Sequence, residues 1–177
     1  ELIDFLELAD GVAVTSPLVS GVIPFNHPRN MTVGGSKGSL SGNYAMDEGD
    51  LLVAVGTRFV CQSDSSRTGY PKVKQVVNIN ADLEAAMHYR NSIPLVGDIA
   101  LTLAHLNETL RKAAEKSKKD NSTWFQACRA KRLEWDAFRE ERYQTPILYD
   151  PVWRRKVLTQ PVTIKIASDW CRENNAV

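Results

Sequence analysis

The sequence predicts an α/β protein built on a Rossmann-like, doubly wound parallel sheet. Three observations predict it. Leu51–Val55 is apolar without alternation, the pattern of a strand buried on both faces of a parallel sheet. Strand-like and helix-like segments alternate from Leu2 to Leu110, the order expected when helices cover both faces of one sheet. Ile99, Leu103, Leu106 and Leu110 recur with the helical period of one amphipathic face.

Taken in order, Leu2, Ile3, Phe5, Leu6 and Ala9 fall on one helical face, and Asp10-Gly11 is a stop signal. Val12–Thr15 reads as a short β-branched strand closed by Ser16-Pro17. The segment from Leu18 to about Lys37 reads as irregular, with Asn30–Val33 a weak strand inside it, and loops of that length are usually functional. A short helix is predicted from about Ser39 to Met46, then the strand Asp50–Gly56 and a Ser/Gly/Thr-rich loop from Thr57 to Pro71. The strand Gln75–Asn80, a short helix near Leu83–Met87 and the strand Ile93–Val96 follow. Asp98 is placed to cap the next helix. Beyond Ala114 the character changes. Glu115–Asp120 reads as a charged linker, and Thr123–Arg142 as a helix with Trp124, Cys128, Trp135 and Phe138 on one side. Tyr143–Gln160 reads as an extended connector, and Pro161 opens a helix carrying Ile164, Ala167 and Cys171 on one stripe.

Composition removes several function classes. Among 177 residues, 22 Lys and Arg oppose 21 Asp and Glu, a net charge of +1. That balance provides no electrostatic footprint for nucleic acid or an anionic membrane. No apolar run approaches the roughly 20 residues of a membrane span. Cys61, Cys128 and Cys171 are too scattered for a disulfide framework, and with His27, His88 and His105 they show no metal-ligand spacing. Reduced thiols and a cytoplasmic location are therefore expected, with no metal site. The basic stretches at 111–119, 129–132 and 154–156 carry or adjoin acids and read as solvated helix faces.

The candidate site residues lie at predicted strand ends, where open α/β sheets take their ligands. Gly34-Gly35-Ser36-Lys37-Gly38 formally matches the G-x-S-x-G nucleophile elbow. A triad with Ser36 would need Asp98 and His105, which share one helix two turns apart. The same residues are no P-loop, since no Lys-Ser/Thr follows the last glycine. Two readings stay open for Gly35, Ser36 and Lys37: a backbone turn whose amides face a phosphate, or a tight turn that needs glycine for positive φ. Gly56, Thr57 and Arg58 follow the strongest strand, where Arg58 could hold a phosphate or carboxylate or pair with a surface acid. Asn78 and Asn80 could bond a ribose or an adenine edge, although a dinucleotide site usually has an acid there. Asp98 is most simply a cap. No residue set here carries a reaction by itself, so no catalytic residue is assigned.

These pieces, in order, resemble the central domain of thiamine-diphosphate-dependent enzymes, the acetolactate synthase group above all. The resemblance is carried by Val12–Thr15, His27-Pro28, Val33-Gly34 with Gly38, Asn43-Tyr44-Ala45, Asp50–Phe59, Val77–Asn80 and Leu95–Asp98, and covers about residues 1–110. Gly56-Thr57-Arg58, Ser63–Arg67 and Asn78-Ile79-Asn80 are similar within that family to the cyclic-dione hydrolases. The resemblance implies a three-domain parent acting on C–C bonds of 2-oxo acids or diketones. In it, thiamine diphosphate and Mg2+ are held outside this chain. It implies a central Rossmann-like domain over 1–116, a helical linker over 117–160 and the start of a diphosphate-binding domain over 161–177. Some members bind FAD or ADP through segments matching Gly35–Lys37, Gly56–Arg58, Asn78–Asn80 and Gly97-Asp98. Val60-Cys61-Gln62 departs from the Asp-Asp-Arg of flavin-binding members, which predicts no FAD or only weak nucleotide binding.

The expected partners are the flanking domains of the parent and further copies in a homo-oligomer, with no nucleic acid and no membrane. The chain opens in a helix without a preceding strand and closes on an unfinished αβ unit, so a domain fragment with its first strand missing is expected. Its open sheet edge predicts association or poor solubility. The alternative function is a stand-alone Rossmann-type nucleotide-binding or regulatory module, and a serine hydrolase on Ser36 ranks third.

Overall fold

Helix α1 (Leu2–Leu8) ends where Asp10, not Gly11, takes the left-handed conformation at φ 50°, and the Gly11 amide returns to the Leu6 carbonyl at 2.9 Å. A short Asp tolerates that region better than most side chains. The computed structural model describes residues 1–59, 68–89, 91–114 and 122–176, and its backbone divides into two units, Glu1–Arg132 and Leu133–Val177. The expected loop residues Val60-Cys61-Gln62 and Ser63–Arg67, and the linker Glu115–Asp120, lie outside the described residues.

In the first unit, β1 (Ala13–Thr15) leads through a single 3-10 turn at Pro17–Val19 to β2 (Asn30–Val33). These two strands pair in parallel, Ala13 with Asn30 and Thr15 with Val33, across a register irregularity. The segment expected to be irregular from Leu18 to Lys37 therefore contains a paired strand. The signal was weak because Asn30 and Thr32 interrupt the apolar pattern. Helix α2 (Leu40–Glu48) follows, with the Ser39 side chain accepting from the Gly42 amide at its N-terminus.

Strands β3 (Leu51–Val55), β4 (Gln75–Asn80) and β5 (Ser92–Val96) form a three-stranded sheet in that order, all parallel. Val53 lies opposite Val77, and Val77 opposite Ile93. Helix α3 (Leu83–Ala86) lies in the crossover from β4 to β5, and helix α4 (Ile99–Ala114) follows β5. Phe5, Ile79 and Leu103 are buried together, flanked by Val53, Val55, Leu95, Ile99, Leu106 and Leu110, so α1 and α4 cover one face of the sheet. By the two-residue alternation of a strand, Ala54, Val76 and Asn78 present the other face. Helix α3 has only four residues there, and rings assist it. Phe59 stacks on His88 with centroids 5.5 Å apart and meets Tyr89 edge-on at 4.7 Å. The predicted α/β class with a parallel sheet and helices on both faces is what this unit shows.

A second cluster joins Met31, Ala45 and Cys128 with Val12, Val14, Tyr44 and Trp124. It seats the N-terminal part of α5 (Thr123–Gln144) against β1, β2 and α2.

In the second unit, the residues expected to form an extended connector make an antiparallel hairpin, β6 (Ile147–Asp150) with β7 (Arg155–Leu158). Asp150 and Pro151 supply the turn between them. The Asp150 carboxylate accepts from the amides of Val152 at 2.8 Å and Trp153 at 2.9 Å, while Arg154 adopts φ 50°. Helix α6 (Gln160–Glu173) follows with Pro161 in its first turn, as expected. No helix among the described residues is long and apolar enough to cross a membrane.

Candidate functional site

The glycine turn lies between β2 and α2, and its own atoms fill it. A Cβ on Gly34 would stand 2.4 Å from Met46 Sδ and 2.5 Å from Val14 Cγ1. One on Gly38 would meet the Gly34 carbonyl carbon at 2.6 Å. Only Gly35 needs glycine for its backbone, at φ 96°. Close packing, more than positive φ, therefore accounts for the glycine cluster. The Gly35 amide donates to Asn43 Oδ1 at 2.8 Å, Gly34 to the Thr15 carbonyl at 3.2 Å, Gly38 to the Gly35 carbonyl at 2.9 Å and Ser39 to the Val33 carbonyl at 2.7 Å. These four amides are engaged by the protein's own acceptors.

Ser39 is the hub below the turn. Thr32 Oγ1 donates to its hydroxyl oxygen at 2.6 Å, and that oxygen accepts from the Gly42 amide at 2.8 Å. Thr32 itself sits at φ 68°, a region that strongly disfavours β-branched residues. Asn30 Oδ1 accepts its amide at 2.8 Å and holds it there. Ser36 and Lys37 stand exposed at the crest. Asp98 Oδ1 accepts from the Leu101 amide at 2.9 Å as the cap of α4, the same helix that carries His105.

At the end of β3, Gly56 takes φ 61° and its amide donates to the Ile79 carbonyl at 2.9 Å. Thr57 Oγ1 accepts from the Phe59 amide at 3.1 Å. Arg58 is exposed, and no carboxylate among the described residues pairs with it. The two asparagines of β4 are both buried. Asn80 Nδ2 donates to the Thr57 carbonyl at 3.0 Å, while its Oδ1 accepts from the Asp82 amide at 3.1 Å. Asn78 Nδ2 donates to the Ala85 carbonyl at 2.9 Å, leaving its buried Oδ1 without a partner among the described residues. The structure thus joins Thr57 to Asn80 directly and turns Asn78 toward α3.

Two clefts among the described residues hold about 220 and about 110 Å³, below the roughly 300–1,000 Å³ of small-molecule sites. Asn43, Met46, Asp47, Thr68 and Gly69 line the larger, and none of the strand-end candidates lines either. No three His, Cys, Asp or Glu side chains among the described residues converge on a metal-sized site. Burial pushes the Cys128 thiol up to about 12, which keeps it protonated and unreactive.

Sequence reasoning missed Arg132. It was grouped with the solvated basic stretch at 129–132, yet its side chain is buried, donates to the carbonyls of Asn30 and Phe25 and lies over the Phe25 ring. Its position one turn beyond Cys128 on the apolar side of α5 was the available signal.

With this geometry in place, the comparisons with known proteins decide the family. Residues 1–106 match the family described as thiamine pyrophosphate enzyme, central domain. This chain belongs to that family. It is 31% identical over 126 residues to acetolactate synthase 1, chloroplastic, of Oryza sativa subsp. japonica, covering 70% of this chain and 19% of the relative. It is 33% identical over 128 residues to acetolactate synthase 3, chloroplastic, of Brassica napus, with the same coverage of 70% and 19%. The probable acetolactate synthase large subunit of Methanococcus aeolicus is 27% identical over 123 residues, covering 69% of this chain and 20% of the relative. The chain spans about a fifth of the length of the curated relatives it matches. The predicted resemblance to a thiamine-enzyme central domain is thereby shown, and within it Asn80 of β4 bonds the Thr57 carbonyl just beyond β3.

Proposed function

We propose that this chain is the structural middle of an acetolactate synthase-like enzyme that works on C–C bonds of 2-oxo acids or diketones. Catalysis belongs to the remainder of the parent polypeptide. The observation that carries this reading is the self-satisfied strand ends, Asn80 on Thr57 and the glycine turn on Ser39 and Asn43, within a domain matched over residues 1–106. Such an arrangement positions flanking segments and does not itself bind a reacting group.

Thiamine diphosphate would supply the carbanion chemistry of the parent, with Mg2+ on its diphosphate. That no three His, Cys, Asp or Glu side chains among the described residues converge supports placing that pair in the remainder of the parent. A bound FAD or ADP would have to use the exposed Ser36, Lys37 and Arg58, and it would find most neighbouring donors already engaged. A homo-oligomeric parent completes the proposal.

The test is turnover by the parent polypeptide. Conversion of pyruvate or a diketone that requires both added thiamine diphosphate and Mg2+ is expected. A parent with no affinity for thiamine diphosphate overturns the reading. A second reading, a stand-alone nucleotide module, rests on the exposed cations Lys37 and Arg58, and micromolar ADP or FAD binding by the 177-residue chain would favour it.

A further inference from the structure

Helix α5 and the loop 16–29 are far apart in sequence, yet each gives the other one arginine and one phenylalanine. The Arg132 guanidinium lies 4.5 Å from the ring centroid of Phe25. The Arg29 guanidinium lies 4.3 Å from the ring centroid of Phe125. Arg132 Nη2 donates to the Phe25 carbonyl at 2.9 Å, and its Nη1 donates to the carbonyl of Asn30. Arg29 Nη1 reaches back to Asp10 Oδ1 at 3.1 Å and the Gly11 carbonyl at 2.9 Å.

Asn30 makes this more than a pair of surface contacts. It is buried, and its Nδ2 donates to the carbonyls of Ile23 at 3.2 Å and Pro24 at 3.1 Å, so one side chain sets the return of the loop. The carbonyl of the same residue accepts from Arg132. Removing α5 would strip that buried carbonyl of a charged donor and uncover Met31 and Cys128, both 0% exposed in one cluster. Buried polar groups left unpaired and apolar groups uncovered both oppose partial opening.

We propose that α5 is a strap whose docking and the closed shape of loop 16–29 form a single equilibrium, with Arg132 as the positioning residue. The clamp closes on the amino ends of β1 and β2, where Arg29 reaches Asp10 and Gly11 just ahead of β1 and Arg132 reaches Asn30, the first residue of β2. Coupling of this kind is reciprocal: a change that loosens the loop must loosen the helix by the same factor.

Reciprocity supplies the test, made on the 177-residue chain. Loop opening is read from hydrogen exchange of a peptide covering residues 17–30. Helix opening is read from N-ethylmaleimide alkylation of the Cys128 peptide, resolved by mass from the other cysteines. Phe25→Ala removes the ring that receives Arg132, at a residue already 55% exposed, and is expected to raise Cys128 alkylation about three- to thirtyfold, the range of a cation–π contact. Arg132→Lys keeps the charge but loses the paired donation to the Phe25 and Asn30 carbonyls, and is expected to raise loop exchange by a similar factor. Leu18→Ala, at a 96% exposed loop position outside the clamp, leaves both readouts unchanged. Unchanged Cys128 alkylation in Phe25→Ala overturns the proposal, as does an equal rise of both readouts in Leu18→Ala. If Arg132→Lys fails to fold, the Phe25 and Leu18 arms still decide.

Discussion

Asn80 Nδ2 on β4 donates to the Thr57 carbonyl at 3.0 Å, and this bond ties the end of one parallel strand to the loop leaving its neighbour. The same side chain accepts from the Asp82 amide, so both its polar atoms serve the backbone. Replacing Asn80 with Ala leaves a carbonyl and an amide without partners at a buried position. A loss of about 1–3 kcal/mol of stability is expected, read as a lower urea midpoint at unchanged slope. Asn80→Asp restores the acid usual at a dinucleotide site but sets a carboxylate against the Thr57 carbonyl. It should be at least as destabilising as Ala, and an Asp variant as stable as the wild type would show that this strand end is open to solvent or ligand.

Gly42 lies in the first turn of α2, where alanine would ordinarily help by about 1 kcal/mol. Here the added methyl would stand 2.3 Å from the Val33 carbonyl oxygen, which is backbone and cannot swing away. The clash should exceed the propensity gain. Gly42→Ala is therefore expected to lower the melting temperature by several degrees, and a rise would mean that β2 and α2 separate easily.

The buried thiol of Cys128 makes the first unit sensitive to alkali. Its folded value is pushed up to about 12 by desolvation, while an unfolded thiol ionises near pH 8.5. Stability is complete below the unfolded value and is lost as the pH rises from there toward the folded one. Denaturant midpoints should fall between pH 8 and 10 more steeply in the wild type than in Cys128→Ala. Parallel slopes would place Cys128 in contact with water.

On α6, the Lys165 ammonium bonded to Asp169 holds that carboxylate below its ordinary value, with Arg172 adding to the effect. The same bond raises Lys165. The carboxylate's share of helix stability is present above its unfolded value and disappears as the pH falls through the depressed one. The lysine's share is present below its unfolded value and disappears as the pH rises through the raised one. A carbon-detected titration should show the Asp169 midpoint moving up in Lys165→Met and in high salt, because exposed pairs are screened. An unmoved midpoint would assign the depression to Arg172.

Much of the first unit was legible because its signals are local. The non-alternating run Leu51–Val55, the cap at Asp98 and the stripe from Ile99 to Leu110 each report a backbone state within one element, and all three stand where they were predicted. Strand β2 and the hairpin β6–β7 were harder to read. Asn30 and Thr32 break the first pattern, and short strands flanked by proline resemble a connector. The candidate site was legible as a set of positions but not as a set of contacts. Whether Asn80 faces a ligand or the Thr57 carbonyl depends on a residue 23 positions away, and sequence spacing carries no record of that direction.

The sequence by itself determined the α/β class, the parallel character of β3 and β4, the helix ends and the family resemblance, because hydrophobic period and capping chemistry act over a few residues. Only the tertiary structure decided that Gly34 and Gly38 are required for packing, that the strand-end amides point inward and that Arg132 is buried under the loop carrying Phe25. The physical reason is distance along the chain. Arg132 and Phe25 are 107 residues apart, and an arginine looks solvated in any local window until a distant segment supplies the carbonyls and the ring that receive it.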